Sequence, residues 1–229
     1  MSAPLHLVTG AGSGIGAALV RRLHERGDRL CLLARSAERA DELASEFPGA
    51  DTVVADLAAP GAVAAIEGLP ERLDSLVHVA GAVELAPVAE LSEDHLRTQL
   101  EVNLVAPMLL TRACLPALRA ARGQVVVVNS TSGLSASGQW SAYAGSKYGA
   151  RGFADALRQE EAEHGVRVTS VFPSRTATPM QAKVHEQEGR DYDPSRFIQP
   201  ASVADTIVHV LDLPRDGTIR EVTVGRGPG

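Results

Sequence analysis

The chain has 229 residues, of which 45% are hydrophobic and 22% charged, and a net charge of −6. That length suits one large α/β domain and can bury roughly 70% of the unfolded surface, so no disulfide or metal staple is needed. The acidic balance, with no basic run, argues against a nucleic-acid partner.

The N-terminus, "MSAPLHLVTG", lacks the charged start and apolar core of a signal peptide. No apolar run approaches membrane-spanning length, and a cytoplasmic protein is expected. The first strand-like run is "LHLVT" (5–9). It leads into "TGAGSGIGAALVRRL", with glycines at 10, 12, 14 and 16. Glycines after a strand permit a tight turn and close approach of a pyrophosphate, and the helix that follows aims its free N–H groups at the loop. The spacing departs from G-x-G-x-x-G, since Ile15 stands where the third glycine would fall. It fits T-G-x-x-x-G-x-G across Thr9, Gly10, Gly14 and Gly16.

A helix near 14–26 precedes the second strand, "RLCLLA" (29–34). Ala34 offers no carboxylate to a ribose 2′-hydroxyl, and Arg35 follows with a planar fork suited to a 2′-phosphate. NADP(H) is therefore expected over NAD(H). After a helix at 36–46 comes the third strand, "DTVVA" (51–55). Asp56 then serves either the adenine amino group or a helix N-cap. A helix is expected at 60–68 and a fourth strand at 75–80. The helical pattern of 92–121 is broken by the amide of Asn103, which reads as a kink or a satisfied core amide. Cys31 and Cys114 lie in apolar stretches and read as free, buried thiols.

The fifth strand, "QVVVVNS" (124–130), brings Ser130 to the sheet edge where ligands bind. Thirteen residues later, "SAYAGSK" puts Tyr143 and Lys147 one helical turn apart on the helix of 141–164. A lysine ammonium beside a tyrosine favours the phenolate and lowers its pKa. A sixth strand (167–172), the irregular stretch 174–199, a helix at 201–213 and a last strand (220–224) complete the chain. Apolar strands alternating with helices imply a doubly wound parallel sheet with helices on both faces, in one domain. Loops as long as 174–199 are often functional lids.

"TGAGSGIG", "AD" (55–56), "VAG" (79–81), Asn103, Ser130, "YAGSK" and "FPSRTATPM" (172–180) together resemble the short-chain dehydrogenase/reductase family of the compact single-domain type. The resemblance implies a Rossmann fold with seven parallel strands in the order 3-2-1-4-5-6-7. It implies Tyr143 as general acid/base and Lys147 as its activator and ribose ligand. Ser130 would polarise the carbonyl, and Asn103 would hold a kink and a proton-relay water. Cofactor contacts would come from Gly10, Ser13, Gly14, Ile15, Gly16, Arg35, Asp56, Leu57, Ala80, Gly81, Pro173, Thr176 and Thr178. The implied reaction is hydride transfer between NADP(H) and a small carbonyl or alcohol substrate, in a homodimer or homotetramer. A non-catalytic NADP-binding redox sensor is the alternative.

Three residues depart from the family's pattern: His78 for an asparagine, Ser174 for a glycine, and Ser13 where some NADP-preferring relatives carry a basic residue. His78 reads as a structural, hydrogen-bonded histidine. The pocket is expected to draw on Leu134, Gln139, Trp140, Met180, Lys183, His185, Arg190 and Arg196, with Trp140 either a pocket wall or a subunit contact.

Overall fold

A computed structural model describes residues 3–227. Seven strands form one parallel sheet: β1 (Leu5–Thr9), β2 (Arg29–Ala34), β3 (Asp51–Val54), β4 (Ser75–His78), β5 (Gln124–Val128), β6 (Arg167–Pro173) and β7 (Glu221–Val224). Their order is β3-β2-β1-β4-β5-β6-β7, as expected. The helices are α1 (Gly14–Glu25), α2 (Ala37–Glu46), α3 (Glu93–Leu100), α4 (Ala106–Ala121), α5 (Ser141–Glu160), α6 (Pro179–Gln187) and α7 (Pro200–Asp212).

Alternate strand residues feed two cores. Leu5, Leu7, Leu76, Val125 and Val127 pack with Leu110 and Leu118 of α4 and Ala154 and Leu157 of α5. Val8, Leu30, Leu32, Val77 and Val126 pack with Leu19 and Val20 of α1, Leu43 of α2 and Ile207 of α7. Burial on both faces is why the strands read as continuous apolar runs rather than alternating ones. Cys31 and Cys114 are free and buried, and burial pushes both thiols up to about 12.

Four expectations need correction. The helix at 60–68 is a single 3₁₀ turn, Ala62–Ala65, because Gly61 precedes it in a left-handed conformation (φ 82°) and the segment is too short to propagate. The helix of 141–164 ends at Glu160. The stretch 174–199 is not an unbroken loop. Thr178 caps α6 by accepting from the Gln181 amide, Pro179 occupies its first turn, and a 3₁₀ turn follows at Pro194–Arg196. Finally, the helical stretch expected at 92–121 is present, with α3, a π-helical turn (Glu101–Val105) and α4 running together over Glu93–Ala121, and what it corrects is the expectation that no apolar run approaches membrane-spanning length. That run is long and apolar enough, by length and composition, to cross a membrane, although 44% of its most apolar window is buried against the rest of the protein.

Candidate active site

Asn103 lies within the π-helical turn, so the expected kink is present. Its amide is buried and fully used. Nδ2 donates to the Ala82 carbonyl (2.8 Å) and to Ser146 Oγ (3.0 Å), and Oδ1 accepts from the Ala82 amide (2.8 Å). The loop after β4 is thereby fixed to α5, one residue from Lys147.

A second amide, Asn129, went unremarked in the sequence. Its Nδ2 donates to the Lys147 carbonyl (3.0 Å) and its Oδ1 accepts from the Ser130 amide (2.8 Å). One buried side chain thus sets the separation of two candidate site residues. Ser130 caps a 3₁₀ turn (Thr131–Gly133), its Oγ accepting from the Ser132 amide at 3.1 Å.

Tyr143 and Lys147 are both buried on α5, and Lys147 Nζ lies 5.7 Å from the Tyr143 ring centroid. Lys147 Nζ donates to the Val128 carbonyl (3.2 Å). The expected depression of the tyrosine pKa does not follow from the protein's own groups. Burial pushes Tyr143 up to about 12, outweighing the Ser130 hydroxyl, whose hydrogen bond favours the phenolate. Burial pulls Lys147 down to about 8. In both groups desolvation, which penalises the charged form, is the dominant cause. At neutral pH Tyr143 is a neutral phenol, competent to donate a proton.

Trp140 is a pocket wall. It meets Tyr143 edge-on at 5.7 Å and packs in a small apolar cluster with Val83, Leu85, Met180 and Val184. Gln139, before it, holds a left-handed φ of 69°, unusual for a side-chain-bearing residue, while its carbonyl accepts from the Ala86 amide (3.0 Å).

Asn129, Ser130, Gln139, Trp140, Tyr143 and Lys147 line one end of a cleft of about 1280 Å³ whose other end holds the glycine loop, Arg35 and Asp56, while Asn103 lies behind them and does not line it. The residues there fit a dinucleotide. Ser13 stands at the N-terminus of α1 without capping it by its side chain, which leaves first-turn amides available to an anion. Gly14 has φ 53°, and a Cβ there would come within 2.9 Å of Thr178 Cγ2. A Cβ on Gly16 would lie 2.0 Å from the Gly10 carbonyl oxygen. Thr9 Oγ1 accepts from the Val79 and Ala80 amides (3.0 and 3.1 Å), fixing the β1 and β4 loops together.

Gly10, Ile15, Leu57, Ala80, Gly81, Pro173, Thr176 and Thr178 all face this cleft. Asp56 lines the cleft, and its carboxylate accepts from the Ala58 amide (3.0 Å) in a local turn, so the helix N-cap reading does not hold. Ser174 does not take a positive φ, and its amide donates to Val224 O (2.9 Å). His78 is structural, its Nε2 2.8 Å from Thr111 Oγ1.

Of the expected pocket residues, Gln139, Trp140, Met180, Arg190 and Arg196 line the cleft. Leu134, Lys183 and His185 do not. Lys183 pairs with Glu84 (2.5 Å), and His185 is buried against Gln181, Tyr192 and Phe197. Three more arginines that the sequence did not single out line the cleft: Arg39, Arg175 and Arg226. Arg39 donates to the Gly12 carbonyl (2.8 Å), and Arg175 lies over the Trp140 ring at 5.7 Å.

The short chain dehydrogenase family model matches residues 5–189. The chain belongs to the short-chain dehydrogenase/reductase family of oxidoreductases. A dehydrogenase/reductase SDR family member 7B from Bos taurus is 35% identical over 81% of this chain, and the match spans 62% of the bovine protein's length. An actinorhodin polyketide ketoreductase variant solved with NADPH superposes with a TM-score of 0.85 at 28% identity, covering 97% of this chain and 95% of that one. A short-chain dehydrogenase from Burkholderia cenocepacia in complex with NADP gives 0.82 at 27% identity, covering 98% and 89%.

Proposed function

We propose that the chain is an NADPH-dependent carbonyl reductase. The observation that carries this reading is the convergence of Ser130, Tyr143 and Lys147 on the cleft that also holds the glycine loop. When bound, the nicotinamide supplies the hydride. Tyr143, kept neutral by burial, gives its proton to the carbonyl oxygen. Ser130 donates a hydrogen bond to the same oxygen as negative charge develops there. Lys147 holds the ribose and returns a proton from solvent to Tyr143, through a water at the kink that Asn103 holds. Arg35, exposed at the far end of the cleft, takes the 2′-phosphate.

The chain works as one domain with 174–199 as its substrate segment, in the cytoplasm. Pairing into a dimer or tetramer is supported by the exposed Val105, Met108 and Tyr148 around α4 and α5. Purified protein should oxidise NADPH with small ketones or aldehydes. A titration with NADPH and NADH tests the cofactor reading: Arg35→Ala should weaken NADPH by about tenfold or more, as loss of a charge-assisted contact does. Equal affinity of the unaltered protein for the two cofactors would refute it.

A further inference from the structure

The protein is acidic overall, with a net charge of −6, yet its cleft is basic. Besides Lys147 and the two arginines at the adenosine end, Arg175, Arg190, Arg196 and Arg226 line it, against two carboxylates, Asp56 and Glu188. Asp56 belongs to the adenosine end. The substrate end therefore has several guanidinium groups and a single acidic neighbour.

Arg175 is the one that is built in. It follows Pro173 and Ser174 directly at the sheet edge, where its guanidinium lies 5.7 Å over the Trp140 ring. That ring meets Tyr143 at the same distance, so Arg175 is one aromatic ring away from the proton donor. Its Nη1 and Nη2 donate to the two oxygens of Glu188 (2.8 and 2.5 Å), the C-cap residue just after α6. Arg190 approaches the same carboxylate at 3.8 Å. Among the described residues, Arg175 Nε and the remaining Nη hydrogens meet no protein acceptor. A guanidinium carries five N–H donors, and Glu188 uses two.

We propose that the substrate carries a carboxylate in addition to its carbonyl, and that Arg175 reads it. This rests on the carbonyl-reductase reading above and names the substrate class for it. Glu188 orients the fork as an internal carboxylate. The free edge of Arg175, with Arg190 beside it, accepts the substrate's carboxylate. Val83, Met180 and Val184 take the carbon chain between it and the carbonyl at Tyr143. Arginine stacked on an aromatic face and locked by a carboxylate is pre-organised for such planar, bidentate recognition.

The test compares oxo acids of increasing length, 2-oxo to 5-oxo, with their methyl esters. Two readouts are needed: NADPH oxidation, and the fluorescence of Trp140, the chain's single tryptophan, which reports binding beside Arg175 with or without turnover. At least one oxo acid should bind and turn over about tenfold or more better than its ester, the worth of one charge-assisted contact. Arg175→Gln should bring the acid-to-ester ratio close to one, through KM, and Arg175→Lys should restore part of it. Esters that equal their acids in the unaltered protein, or an unchanged ratio in Arg175→Gln, would overturn the proposal. Selective acid binding by fluorescence with no NADPH oxidation would support anion recognition and sink the carbonyl-reductase reading instead.

Discussion

Each end of the sheet holds a buried polar cluster, and only one of them opens onto a cleft. At the C-terminal end stand Asn103, Ser130, Tyr143 and Lys147. At the N-terminal end His6 of β1 lies in register with Ser75 of β4, its Nδ1 2.6 Å from Ser75 Oγ and its Nε2 3.2 Å from Asp28 Oδ2. By residue type that second set is a serine nucleophile, a histidine base and an orienting aspartate. Yet Ser75 is 1% exposed and His6 3%, and neither lines the cleft. Asp28 is also held by Arg26 Nε at 2.7 Å. The N-terminal cluster satisfies buried donors and acceptors between strands. In the C-terminal one Ser130, Tyr143 and Lys147 face a space that a substrate can enter. Access separates the two, not residue chemistry.

The largest expected effect breaks that symmetry. Tyr143→Phe should lower NADPH-dependent carbonyl reduction by about 10³-fold, within the range for loss of a positioned general acid, while NADPH binding persists. Ser75→Ala should leave kcat unaltered and lower only the melting temperature. Loss of turnover in Ser75→Ala would mean that the sealed cluster has been misread.

Acid should come next. Burial pulls His78 down to about 3, and burial also lowers His6 despite the opposing pull of Asp28. Both groups stay neutral in the fold while their unfolded counterparts, near 6.5, take up protons. Their stabilisation is therefore complete above about pH 6.5 and is lost as pH falls toward the folded values. For His78 this amounts to about 3 kcal/mol between pH 7 and pH 4, at about 1.4 kcal/mol per unit. Denaturant melts of His78→Asn should show a pH dependence shallower by about that amount. Carboxylates such as Glu161 and Glu188, held low by arginine partners, contribute the same sign to both proteins and cancel in the comparison. An equal slope in the two would show that His78 is not kept neutral.

The difference between the two clusters also marks what was legible in the sequence. Tyr143 and Lys147 are readable because helical spacing is local, and the glycine loop because it directly follows a strand. The doubly wound sheet follows from alternation and right-handed crossovers, whereas the order of its strands came from the family resemblance. The direction of the Tyr143 pKa was not readable, since it depends on how completely α5 is covered, and no four-residue spacing carries that. Arg175 was hidden because its meaning lies in Trp140 and Glu188, 35 and 13 residues away. The Ser75–His6 pair links β1 to β4, 69 residues apart, and only the register shows it.

Arg39 carries the smallest expected effect and sharpens the same point about access. It sits on the first turn of α2, where its Nη2 donates to the Gly12 carbonyl and its Nη1 pairs with Glu42. The guanidinium occupies the space a Gly12 Cβ would need, 2.4 Å from Nη2, so glycine at 12 is what lets it lie over the loop. Arg35 is exposed toward the cleft, whereas Arg39 is half-buried and partly neutralised by Glu42. Its pull on a cofactor phosphate should accordingly be the weaker of the two. Arg39→Ala is expected to raise the Kd for NADPH by about five- to tenfold, near 1 kcal/mol, and to leave NADH within about twofold, since NADH lacks the 2′-phosphate. Equal weakening of both cofactors would mean that Arg39 acts by bracing the glycine loop, and Glu42→Gln would separate the cases. Freeing the guanidinium should tighten NADPH if Arg39 reads the phosphate, and should loosen both cofactors if it only holds Gly12 in place.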